Sequence, residues 1–191
     1  MFIGVSLFVV YLPYWLEQSL GVSQNAIASL FVVGGIANVL TGPWAGKLSD
    51  RAGRKPVIIA SCIGLSIVMI LTTVLVREFW VAYVLYFATM VLVAMRISPF
   101  SALLTALVSD ERRGSLMSMN IALGQVGFAV GAAMAGPLYS RFGYGSNTVV
   151  GAAAVLIMAG IVGYLVPEPE LYAEPREERV DDPLLGRPAT S

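Results

Sequence analysis

Histidine is absent from this 191-residue sequence, and cysteine occurs once, at Cys62. The first absence removes the commonest metal ligand and the commonest general base. The second excludes an internal disulfide and any cysteine-built metal site, and leaves Cys62, within an apolar run, as a packing residue. Charge is scarce as well: 13% of residues are Asp, Glu, Lys or Arg, against about 25% in soluble domains. The 12 cations balance the 12 anions, so nothing calls for a nucleic-acid partner. No nucleophile, base and orienting group fall together, so no catalytic residue and no cofactor is expected, and the chain does not read as an enzyme. What is abundant is apolar surface. With 57% hydrophobic residues and a mean hydropathy of +0.78, a soluble globule is excluded.

A helix needs about 20 apolar residues to cross the hydrocarbon core of a bilayer. Apolar runs of that order fall near residues 1–20, 25–46, 56–76, 79–108, 114–139 and 146–166, separated by short polar turns. The expected fold is all-α and membrane-integral, a bundle of six transmembrane helices with the lipid bilayer as its first partner. After Pro167 the sequence turns to proline and acid, and residues 167–191 are expected to form a disordered tail. Lys47, Arg51, Arg54, Lys55, Arg112 and Arg113 cluster after the second and fourth runs, whereas Arg77 and Arg141 follow the third and fifth. Short cytoplasmic loops carry the excess of Lys and Arg, so both termini are expected in the cytoplasm; the expected location is the plasma (inner) membrane.

A skeleton recurs 90 residues on: Gly46-Lys47-Leu48-Ser49-Asp50-Arg51-Ala52-Gly53 aligns with Gly136-Pro137-Leu138-Tyr139-Ser140-Arg141-Phe142-Gly143, sharing G-x-L-x-x-R-x-G. Gly34 aligns with Gly124 and Ala45 with Ala135. Two inverted three-helix repeats would explain this, because an odd number of crossings per unit puts the matching turns on opposite sides. The counterpart of Phe79 falls ahead of Met1, so the first helix is expected to continue upstream. Chance similarity between glycine-rich turns remains the alternative.

Arg96 is the costliest residue to bury. An arginine at the centre of a spanning helix costs at least ~2.5 kcal/mol, so it must face a cavity or a partner. It stands 14 residues before Asp110, ~20 Å along a helix. Gln125 stands 12 residues after Arg113, ~18 Å up the next helix, at a similar depth. With Asn120 and Asn38, these residues are candidates for the lining of a polar cavity, with Arg96 touching a solute or taking part in ion coupling. The alternative for the amides is simple helix-to-helix bonding. Tyr11, Tyr14, Trp15, Trp80 and Tyr83 fit an interfacial aromatic belt, with Tyr11 the deepest of them.

The segment after the second run has its own logic. Gly46 and Gly53 permit a tight reversal, and Pro56 suits the first turn of a helix. Asp50 favours a helix N-terminus, while Arg51 and Arg54 can pair with Asp110 or Glu111. The pattern G-x-L-x-D-R-x-G-R-K, here Gly46, Leu48, Asp50, Arg51, Gly53, Arg54 and Lys55, resembles the signature loop of the major facilitator superfamily. Asp110-Glu111-Arg112-Arg113-Gly114 resembles that family's charged turn between the fourth and fifth helices of a half. Gly124-x-x-Gly127-x-x-x-Gly131 before Gly136-Pro137 resembles its glycine-proline motif in part; the glycine pair after the proline is missing, which weakens an antiporter reading.

The resemblance implies half of a twelve-helix fold. The run from Gly136 to Tyr144 looks like the end of the second half, with a first half and its central linker as the alternative. It further implies secondary transport of a small solute by alternating access. Proton-coupled efflux of drug-like or amphipathic compounds is the form expected, with Gly46, Asp50, Arg51, Gly53, Arg54 and Lys55 as a cytoplasmic gate. A second six-helix half, from this chain's own kind or another chain, is the implied partner. The alternative is a non-transporting fragment or a regulatory or assembly subunit derived from such a transporter.

Overall fold

The computed structural model describes residues 2–106 and 110–165. The helices are α1 (Phe2–Leu20), α2 (Gln24–Ala52), α3 (Arg54–Leu75), α4 (Phe79–Ala106), α5 (Asp110–Phe142) and α6 (Tyr144–Leu165). The tail from 167 onward lies outside the described residues. Five helices, α2 to α6, are long and apolar enough to cross a membrane; α1 is not among them. Its 19 described residues end in Glu17-Gln18-Ser19-Leu20.

Contacts between helices fix their directions. Ser29 of α2 bonds Tyr83 of α4, and further along the same pair Gly46 faces Ser98, so α2 and α4 run parallel. Gly124 faces Phe2 and Tyr139 stacks on Tyr11, so α5 runs parallel to α1. Gly64 of α3 faces Leu92 and Gly163 of α6 faces Ile59. Arg54 in turn reaches Ala102 and Thr73 meets Thr148, so α3 is antiparallel to both α4 and α6. Gly4 faces Gly151 and Tyr144 reaches Phe8, so α1 is antiparallel to α6; helices α1, α3 and α5 therefore point one way and α2, α4 and α6 the other. The principal neighbours are α2 with α4, α1 with α5, α3 with α6, α3 with α4 and α1 with α6.

Connections are abrupt. The segment from Gly46 to Ala52, expected as loop, continues α2 as helix. Lys47-Leu48-Ser49-Asp50-Arg51-Ala52 contains no breaker, and Ser49 Oγ donates to the Gly46 carbonyl within the helix at 2.8 Å. The chain turns on Gly53 alone, with φ 89° and ψ 143°, a region that only glycine enters cheaply. Arg54 opens α3, and Pro56 falls in its first turn, where a missing N–H costs nothing. At the other end of the bundle Gly143 breaks α5 from α6 at φ 76°. Its N–H donates to the Tyr139 carbonyl at 2.8 Å, the bond of a left-handed helix cap.

The core lies where α1, α3, α4 and α6 meet, around Phe8, Leu12, Leu16, Ile58, Leu65, Met69 and Val155. Between lipid-embedded helices, association depends on close packing and hydrogen bonds rather than on hydrophobic exclusion. Ser66 Oγ donates to the Ala152 carbonyl at 3.2 Å, and the Thr73 and Thr148 hydroxyls meet at 2.9 Å, joining α3 to α6. Gly131 lets α5 approach α1: a Cβ there would collide with Ser6 Oγ and lie 2.6 Å from the Ile3 carbonyl oxygen. Large apolar side chains such as Val39, Trp44, Trp80 and Ile157 point outward, as lipid-facing surfaces do.

Candidate functional site

α4 carries its arginine inward. Arg96 is 1% exposed, the largest fully buried side chain described. Its Nε and Nη1 are buried without a hydrogen-bond partner. The Cys62 thiol of α3 lies beside the guanidinium. Glu17 and Asp50 lie in the last turns of α1 and α2, and the acidic residues nearest to Arg96 along the chain, Glu78 and Asp110, stand beyond the two ends of α4. Among the described residues no counter-charge is therefore supplied at its depth.

A cavity of about 280 Å³ opens beside this arginine, lined by Phe2 and Val5 of α1, Val93, Arg96 and Ile97 of α4, and Gln125 and Phe128 of α5. It is small for a ligand pocket, which typically holds ~300–1,000 Å³. Its make-up is nonetheless that of one: apolar and aromatic walls with two converging polar groups. Arg96 and Gln125 are thus brought together. Asn120 and Asn38 are half-buried on α5 and α2 and do not belong to this lining.

The gate candidates lie at one end of the bundle. Arg54 is half-buried and its Nη1 donates to the Ala102 carbonyl at 3.0 Å, placing a cation at the C-terminal turn of α4, where the helix dipole favours it. Asp50 and Arg51 are exposed, Lys55 and Gly53 half-buried. Gly46 is inside α2, where its Cβ position faces Ser98 of α4 at 3.5 Å. Arg112 and Arg113 are exposed at the start of α5. The side chains of Asp110 and Glu111, the expected carboxylate partners, lie outside the described residues.

At the opposite end, Tyr144 holds the place that Arg54 holds after Gly53. It is buried, donates to the Phe8 carbonyl at 2.8 Å and stacks on Trp15 at 4.5 Å and 14°. Near it Tyr11, Tyr14 and Tyr139 pack together, with Tyr139 5.2 Å from Tyr11 and 5.4 Å from Tyr14, beside an open recess of about 590 Å³ that also touches Val10, Gly136 and Ser140. Phe128 carries no signal in the sequence, and Tyr139 and Cys62 enter there only as a repeat position and a packing residue: each gains its place beside these groups through the rotation of one helix against another.

Helices with apolar exteriors, five of them long and apolar enough to cross a membrane, define a multi-pass integral membrane protein. A family model of the Major Facilitator Superfamily matches residues 1–189, and the chain belongs to that superfamily, a family of transporters rather than enzymes. An uncharacterized MFS-type transporter, YbcL of Bacillus subtilis (strain 168), is 26% identical over 154 residues, covering 81% of this chain and 39% of its own length. The multidrug resistance protein MdtG of Proteus mirabilis (strain HI4320) is 36% identical over 73 residues, covering 36% of this chain and 18% of its own. The class B tetracycline resistance protein of Escherichia coli is 35% identical over 66 residues, covering 34% and 16%. The chain thus spans well under half the length of the curated relatives it matches. No solved structure matches it.

Proposed function

We propose that this chain forms a six-helix half of a secondary transporter that moves a small amphipathic solute by alternating access. The observation that carries the reading is Arg96, buried with two unpaired guanidinium nitrogens beside a cavity that Gln125 also lines. A charge at that depth costs ~2.5–3.5 kcal/mol by insertion scales and marks a solute or ion pathway by default. The names of MdtG and the class B protein, multidrug and tetracycline resistance, favour efflux of drug-like compounds. Glu17, near the end of the first apolar run, is the one carboxylate within the runs, and they hold no histidine, so coupling to protons would use it or a carrier outside them.

The inverted repeat belongs to this reading. Its support is the pattern of neighbours, which is unchanged when α1, α2 and α3 are exchanged with α4, α5 and α6. The two positive-φ glycines and the two side chains that follow them, each bonded to a carbonyl of α4 or α1, obey the same exchange. The Gly53 end then faces the cytoplasm, with Asp50, Arg51, Arg54 and Lys55 as a gate closing against a second six-helix half. Helices α2 and α5 suit that partner: they bury 22% and 17% of their most apolar stretches, against 44% for α3.

Site-directed labelling tests the reading. Gln125→Cys in proteoliposomes should react with a membrane-impermeant maleimide from either side, in proportions that a transported solute shifts. The unmodified chain is the control, because Cys62 is fully buried. Labelling from one side alone under all conditions would remove alternating access.

A further inference from the structure

Resting on the transport reading only for its consequence in flux, we infer that the Arg96 cavity recognises an organic anion, a carboxylate or sulfonate carried on a small apolar or aromatic body. Three independent observations converge on this chemistry. Nε and Nη1 of Arg96 are unpaired though buried, two donors of a charged group that an anion's oxygens would satisfy. The helices bring no carboxylate to that depth, since the acidic residues all stand at or beyond helix ends. The remaining lining is chosen for a different part of the ligand: Phe2, Val5, Val93, Ile97 and Phe128 are apolar, and Gln125 is the single uncharged polar group among them.

An apolar cation would be repelled by Arg96, and a neutral apolar ligand would leave both nitrogens unpaired. An inorganic anion would satisfy the arginine and leave the aromatic walls without a partner. An organic anion alone satisfies both parts. Gln125 can donate a further hydrogen bond to the second oxygen or to a ring substituent.

The test compares two ligands of one shape. The full chain, purified in detergent, is titrated calorimetrically with 1-naphthoate and with 1-naphthamide. Naphthoate should bind about ten-fold or more tightly than the amide, the factor one charge-assisted pair supplies. That preference should vanish in Arg96→Gln and persist in part in Arg96→Lys. Gln125→Leu, which keeps the charge, should weaken both ligands while leaving naphthoate ahead. Equal affinities in the unmodified chain, binding of neither ligand, or a preference surviving in Arg96→Gln would overturn the inference. Binding of neither is the result if a carboxylate from another polypeptide segment occupies the arginine. If Arg96→Gln does not fold, the two-ligand comparison in the unmodified chain still decides. A naphthoate preference in a chain that moves no solute in proteoliposomes would sink the transport reading and leave this inference standing. Flux of neutral solutes without any anion preference would do the reverse.

Discussion

The breaks at Gly53 and Gly143 are one piece of geometry in two environments. Each is a single glycine at positive φ, 89° and 76°, and the residue after each reaches a backbone carbonyl of a neighbouring helix. The reaching group differs. After Gly53 it is the half-buried Arg54, flanked by Asp50, Arg51 and Lys55; after Gly143 it is the buried Tyr144, stacked on Trp15. Turn geometry is thus set by the glycine, and the choice between a charged and an aromatic tether by what surrounds it. A cation at a wet helix end can be released and re-formed at little cost. A buried phenol hydrogen-bonded among aromatics holds its neighbours permanently. Under the proposed orientation, the first end moves and the second is the pivot.

The largest effects should come from the glycines. Gly53→Val and Gly143→Val should each lower stability by ~1–3 kcal/mol, because a β-branched residue at positive φ is strained. Thermal unfolding in detergent reads this, and Gly53 should be the worse, since its ψ of 143° takes it outside the left-handed helical well. Equal tolerance of valine at both positions would break the comparison at its root. Next comes Tyr144→Phe, which removes the bond to the Phe8 carbonyl and should cost ~0.5–1.5 kcal/mol on the same assay. Arg54→Met should change stability by less, within ~0.5 kcal/mol, yet slow transport in a reconstituted assay. If Arg54→Met proves the more destabilising, the two ends do not divide into gate and pivot. The smallest effect expected is on topology. Replacing Arg54 and Lys55 together by glutamine should raise the fraction of inverted molecules, read by reporters fused to the C-terminus, because these residues strengthen the positive-inside bias.

Much of the architecture was legible because a bilayer imposes a length on every apolar run, and six runs became six helices. Helix ends were not legible in the same way. Hydropathy falls at Gly46, but helix propensity does not, and α2 runs on to Ala52 through polar residues that hydrogen-bond within the helix. Depth could be read from the 1.5 Å rise per residue, and the cavity holds both Arg96 and Gln125. Facing could not. Asn120 lies five residues before Gln125, which turns it ~140° around the helix and away from the cavity wall. Asn38 follows Ala37, whose buried side marks the face of α2 packed inward, and one residue rotates the amide ~100° from it. Cys62 came to lie against Arg96 through the packing of α3 on α4, and no spacing along the chain encodes that.

Arg96 separates a transport pathway from a lone structural arginine, and solute flux in proteoliposomes containing Arg96→Gln tests this most directly. The account predicts at least a ten-fold loss of flux, about 1.4 kcal/mol in the barrier, with thermal stability equal to or above that of the unmodified chain, because a buried unpaired charge has been removed. Unchanged flux through a stably folded Arg96→Gln protein would contradict it.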